Sequence, residues 1–90
     1  MQPVNNEAAS RFELDVNGKL AVSEYHKRPG KIIFTHTEVP LELEGQGIAN
    51  MLARSALDYA RSEGLRVVPH CQFIAAFIKR HPEYQDLVEK

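Results

Sequence analysis

The chain has 90 residues, which suits one small domain built on a single core. Its 43% hydrophobic and 26% charged residues match an ordinary globular chain rather than a disordered or fibrous one. A net charge of −1 offers no basic field to nucleic acid, one cysteine excludes an intrachain disulfide, and no apolar run approaches the ~20 residues of a membrane span.

Residues 1–9 are polar and lack the apolar stretch of a signal peptide, so they read as a flexible tail before a single domain over 10–90. A cytoplasmic location is the default expectation. Arg11 to Val16 alternates polar and apolar residues, the mark of a half-buried strand. Asn17-Gly18 is a strong hairpin signal, and Lys19 to Tyr25 supplies the returning strand. Pro29-Gly30 marks a second turn, and Lys31 to Val39 a third strand that ends at Pro40. Two tight connections between these strands predict an antiparallel meander.

A long helix then begins near Gly47 or Ile48. Ala49, Leu52, Ala53, Ala56, Leu57 and Ala60 form its apolar stripe, and Gly64 stops it. Leu65 to Pro69 is a fourth strand. Strand, helix and strand make a βαβ crossover, so the third and fourth strands should be parallel. Gln72 to about Arg80 is a second, C-terminal helix with Phe73, Phe77 and either Ile74 or Ala76 inward. Pro82 ends it, and Tyr84, Leu87 and Val88 can pack back as a terminal turn. The fold class is α+β.

Glu44-Gly45-Gln46-Gly47-Ile48-Ala49 joins the third strand to the long helix. Neither glycine has a Cβ, so the backbone can come close to a ligand. The helix start points unpaired N–H groups and a partial positive charge at the same turn, which suits a phosphate. A tight turn that binds nothing is the commoner meaning of two glycines taken alone.

Chemical candidates are few. Alternation sets Ile32, Phe34, His36 and Glu38 on one face of the third strand. His36 has the proton affinity of a base near neutral pH, and Glu38 would serve instead if burial raised its pKa. Otherwise His36 is a satisfied polar residue on a sheet face and Glu38 a solvated rim charge. Cys71 stands between the fourth strand and the second helix, where a helix start favours thiolate. The ordinary alternative is a buried cysteine acting as a small hydrophobe. His70 adjoins Cys71 but should point away from it. The four histidines and the cysteine match no close ligand spacing, so no metal is expected.

Taken together and in order, His36-Thr37-Glu38-Val39-Pro40, Glu44 to Ala49, Pro69-His70-Cys71 and His81-Pro82-Glu83-Tyr84 resemble the small single-domain N-acetyltransferases of the GNAT superfamily. The likeness runs from about Phe12 to Val88. The turn resembles that superfamily's pyrophosphate motif, Q/R-x-x-G-x-G/A, with Glu44 where Gln or Arg would stand. An acidic side chain there should point away and leave binding to backbone N–H groups from Gln46 to Ala49.

The resemblance implies a compact GNAT-like fold and an acetyl-CoA-dependent N-acetyltransferase that acylates an amine acceptor. It implies His36 and Cys71 as catalytic residues, beside the Glu38 that the strand itself offers as a substitute base, with Cys71 either an acyl-cysteine nucleophile or a neighbour of the thioester. It implies contacts to coenzyme A from Val39, Gly45, Gln46, Gly47, Ile48, Ala49, Cys71, His81 and Tyr84. Tyr84 would also be an acid for the departing thiolate. Pantetheine would pair with backbone where the third and fourth strands splay, and Pro40 would cause that splay. The partners are then coenzyme A and an unidentified amine, without nucleic acid or membrane, on a monomer with a dimer left open. A non-catalytic acyl-CoA-binding module and a plain interaction domain are the alternatives.

Overall fold

The computed structural model describes residues 2–89; Met1 and Lys90, the outermost residues of the expected tail and terminal turn, lie outside the described residues. In chain order the elements are β1 (Val4–Asn6), β2 (Arg11–Val16), β3 (Lys19–Arg28), β4 (Lys31–Glu38), α1 (Ile48–Ser62), β5 (Arg66–Pro69) and α2 (Gln72–Arg80). Short 3₁₀ turns occupy Glu7–Ala9, Leu41–Leu43 and Pro82–Leu87. The five strands lie side by side in sequence order. Every neighbouring pair is antiparallel except β4 and β5, which are parallel. This is the α+β meander and crossover that the hydrophobic pattern predicts.

The N-terminal stretch departs from the expected loose tail. Val4–Asn6 pairs with Arg11–Glu13 as an edge strand. Two side-chain bonds fix it: Tyr25 Oη donates to Asn5 Oδ1 at 2.6 Å, and Asn6 Nδ2 donates to Glu13 Oε2 at 3.0 Å. A three-residue strand is too short to show a period, which is why the pattern missed it.

The core forms between one face of the sheet and the helices. Phe12, Leu14, Ala21, Tyr25, Ile32, Phe34 and Val67 turn inward against Leu52, Ala53, Ala56, Leu57 and Ala60 of α1. The alanines let the helix lie close to the strands, so β3 presents Ala21 and Ser23 inward while the larger Leu20 stays exposed. α2 buries Ile74, Phe77 and Ile78 in the same core. Phe73 is only half-buried and Ala76 is exposed, so the inward set of α2 differs from the expected one. The terminal turn packs back through Tyr84 and Leu87, and Val88 forms a bridge to Val67. The Arg61 guanidinium holds that turn to α1, donating to both carboxylate oxygens of Asp86 at 3.0 and 2.9 Å and to Glu83 O at 2.6 Å.

Arg54 of α1 lies 5.6 Å from the Phe77 ring centre on α2, so the two helices share one side of the sheet. Among the described residues no helix covers the other side, where Glu13, Val22, Glu24, Ile33 and Val68 stay partly exposed. No described helix is long and apolar enough to cross a membrane.

Candidate active site

The chain leaves β4 through Val39 and Pro40, makes a 3₁₀ turn that plugs Leu43 into the core, and reaches α1 through Gly45 and Gly47. Both glycines are left-handed, with φ of 84° and 75°. An L side chain there costs about 1–2 kcal/mol of backbone strain. A Cβ at either position would meet no atom within 4 Å, so the space before the turn is open.

Gly47 is the N-cap of α1, no side chain caps the helix, and its first turn carries no acidic residue. The first backbone bond into the helix is Met51 N–H to Gly47 O at 3.1 Å. Among the described residues nothing accepts from the N–H groups of Ile48, Ala49 and Asn50. A cleft of about 170 Å³ opens here, lined by Val39, Gly45, Gly47, Ile48, Ala49 and Phe73 among others. Glu44, expected to point away, is exposed and lines the same cleft.

β4 does not alternate without interruption. Tyr25 pairs with Phe34, but the next residue along β3, Glu24, pairs with His36. Thr35 is therefore an extra residue, a β-bulge that reverses the alternation of β4. Beyond it, Thr37 shares the inward face with Phe34, and His36 and Glu38 face the uncovered side. The expected sharing of one face by Ile32, Phe34, His36 and Glu38 is thus corrected. His36 Nε2 lies 3.1 Å from Glu38 Oε1, and the two side chains are 55% and 72% exposed. The burial that a Glu38 base required is absent.

The β4–β5 ladder runs from Lys31 and Arg66 to Phe34 and Pro69, whereas β4 continues to Glu38. The strands part there for a local reason. Pro69 has no N–H, His70 N–H folds back to Val68 O at 3.1 Å, and Cys71 N–H takes the Phe34 carbonyl at 2.8 Å. Pro40, the expected cause of the splay, lies beyond the end of β4 and caps the following 3₁₀ turn instead.

Cys71 is the N-cap of α2, as its place in the sequence suggests, yet its side chain makes no capping bond. The thiol donates instead to Thr37 Oγ1 at 3.3 Å, and Thr37 Oγ1 lies 3.1 Å from Ser23 Oγ. Cys71 is 6% exposed and Ser23 fully buried. A cleft of about 320 Å³ opens at the parting of the strands, lined by Thr35, His36, Thr37, His70, Cys71 and Phe73 together with Gln72. It brings His36 and Cys71 to one opening without a bond between them. Phe73 lines both clefts, so they adjoin.

His81 and Tyr84 do not join this group. His81 stacks on Phe77 with ring centres 3.9 Å apart, and its Nδ1 lies 2.8 Å from Phe77 O. Tyr84 is buried, donates to Asp58 Oδ1 at 2.7 Å and accepts from Arg54 Nη1 at 3.2 Å. Burial first, then the bond to Asp58, raises the Tyr84 phenol above its ordinary pKa. Both residues lock the terminal turn to the helices. The sequence pattern does not single out Phe73 and Thr37, which line the opening, or Ser23, which is buried behind it. Phe73 was assigned to the core. Ser23 gave one signal, a hydroxyl on the inward-turning positions of its strand, and Thr37 gave none, since strict alternation turns it outward and only the bulge brings it in.

The family model described as GCN5-related N-acetyl-transferase matches residues 11–87. The chain is 43% identical over 75 residues to Protein NATD1 of Mus musculus, covering 80% of this chain and 68% of that protein. It is 38% identical over 83 residues to Protein NATD1 of Danio rerio, covering 87% and 76%. Over 47 residues it is 47% identical to Protein NATD1 of Bos taurus, a match spanning 52% of this chain and 42% of the bovine protein.

Proposed function

The chain belongs to the GCN5-related N-acetyltransferase family, and from that premise we propose that it transfers an acetyl group from acetyl-CoA to an amine. One observation carries this reading. The glycine turn with its unpartnered helix N–H groups and the cleft beside Cys71 adjoin at Phe73, along the stretch of β4 that β5 leaves free. The pyrophosphate would sit against the N–H groups at the start of α1. Pantetheine amides would pair with β4 past the bulge as an added strand. The thioester would then lie beside Cys71.

The acceptor amine would approach from the uncovered side of the sheet, where His36 stands. His36 would take the proton as the amine nitrogen bonds to the carbonyl carbon. The carbon–sulfur bond then breaks and coenzyme A leaves as thiolate, to be protonated by water. In the alternative route Cys71 sulfur attacks the carbonyl carbon and displaces coenzyme A, whose sulfur takes the thiol proton; the amine then displaces Cys71 from the acetyl-cysteine and gives its proton to His36. Mass spectrometry of the protein with acetyl-CoA and no amine separates the two, since only the second leaves one acetyl group on Cys71.

The exposure of both His36 and Glu38 favours a second reading, an acyl-CoA-binding module without turnover. Titration with acetyl-CoA, followed through the amide signals of Gly45 to Ala49, tests binding. Release of free coenzyme A that depends on an added amine tests catalysis. Unmoved amide signals would remove both readings, and binding without amine-dependent release would leave the second.

A further inference from the structure

Resting on the reading that Cys71 faces the thioester, we propose that Thr37 is a positioning residue for Cys71, steadied from behind by Ser23. The three side chains form one chain from the cleft into the core: Cys71 Sγ to Thr37 Oγ1 at 3.3 Å, then Thr37 Oγ1 to Ser23 Oγ at 3.1 Å. Ser23 has no exposed surface and stands between Ala21 and Tyr25 on the inward face of β3. A hydroxyl buried there must find a partner, and Thr37 is that partner. Among the described residues no buried side-chain nitrogen or oxygen lacks one. The bulge at Thr35 creates the arrangement, because strict alternation would turn Thr37 outward.

A hydroxyl both donates and accepts, so the chain can reverse. With the thiol protonated, S–H donates to Thr37. On ionisation the S–H turns into the cleft and gives its proton to water. Thr37 O–H then turns to the sulfur, and Ser23 O–H turns to Thr37 Oγ1. The nearly buried sulfur thereby keeps a hydrogen-bond partner in both states, where a bare thiolate would lack one. The start of α2 does not supply that partner, since Cys71 makes no capping bond. Thr37 also fixes the sulfur at the mouth of the cleft, at the point where β4 and β5 part.

The test is alkylation of Cys71 in the whole protein by excess iodoacetamide at neutral pH, read by mass, with circular dichroism as the check on folding. Thr37→Val should slow alkylation on the order of tenfold, the worth of a hydrogen bond to a charged group. Thr37→Ser should restore the rate, and Ser23→Ala should slow it to a lesser degree. A residue that only packs would act the other way, because a looser core exposes the thiol and speeds alkylation. An unchanged or faster rate in folded Thr37→Val, or equal slowing in Thr37→Ser, overturns the proposal. If Thr37→Val does not fold, Ser23→Ala decides: a slower rate supports the chain of hydroxyls, and an unchanged or faster one overturns it. Acetyl-CoA takes no part in this measurement, so a failure of the acetyltransferase reading shows separately, as absent coenzyme A release.

Discussion

Glu24 of β3 stands directly opposite His36 of β4, while the adjacent register pair joins Tyr25 to Phe34. One extra residue between these pairs decides the division of labour at the site. His36 faces the open side of the sheet, and Thr37 faces the core beneath Cys71. An acceptor can therefore reach His36 without passing the groove proposed for coenzyme A. His36→Ala should lower the turnover rate by about 10²–10⁴-fold, the usual worth of a general base, with coenzyme A affinity unchanged. Steady-state kinetics beside a binding titration separates the two effects. Full turnover in His36→Ala would remove His36 as the base.

Gly47 supports a second prediction. Its φ of 75° strains any L residue, and the space its Cβ would enter is the open space before the helix N–H groups. Gly47→Val should weaken coenzyme A binding by about tenfold or more, because its side chain crowds the approach to the helix N–H groups; the left-handed strain, about 1–2 kcal/mol, falls on fold stability. Calorimetric titration of a variant shown to be folded checks this. Undiminished affinity would mean that the turn holds no pyrophosphate.

Tyr84 should govern stability and leave turnover alone. Its hydroxyl is engaged with Asp58 and Arg54 rather than turned to either cleft. Tyr84→Phe removes the donor to Asp58 and should cost about 1–2 kcal/mol in a denaturant titration. The rate of coenzyme A release should match that of the natural chain. A large loss of rate with intact stability would restore the role of acid that the resemblance implied.

Asp86 gives the molecule a pH dependence. Hydrogen bonds from Arg61 hold its carboxyl below the ordinary carboxylate range, outweighing the opposing effect of burial. A lowered folded-state pKa means that the pair stabilises the fold above the unfolded range, near pH 4, and ceases to as pH falls through the lower folded value. Asp86→Asn should therefore melt below the natural chain at neutral pH, by a small margin because the pair is exposed. The margin should close in acid below about pH 4. A margin that stays constant across that window would show that the ion pair is not its source.

The elements with strong punctuation were legible in the sequence. Gly47 and Gly64 bracket α1 because only glycine takes their left-handed backbone easily, and Pro29-Gly30 turns β3 into β4. The glycine turn and Cys71 were legible as candidates because each sits where a strand gives way to a helix. The bulge at Thr35 was not. It contains no glycine or proline, and its cause lies in the register of two strands rather than in either one. His36 was therefore assigned to the wrong face, and Ser23 and Thr37 went unread. His81 and Tyr84 had the right motif but not the right surroundings, since packing on Phe77 holds His81 half-buried against α2 and draws Tyr84 into the core.

The crossover also bears on how the site comes into being. β2, β3 and β4 are joined by tight turns, so their pairing closes short loops. The β4–β5 ladder must close a loop that contains the whole of α1, at a larger entropic cost. The meander should form first and the parallel pair last. Pulse-labelled hydrogen exchange should protect the amides of β3 before that of Arg66, which donates to Gly30 O at 3.0 Å at the start of the parallel ladder, and simultaneous protection would contradict this order. The opening beside Cys71 is bounded by the end of that late ladder. A refolding chain would regain most of its sheet before the proposed coenzyme A groove is complete, and, if the groove binds it, added coenzyme A would then slow unfolding more than it speeds folding.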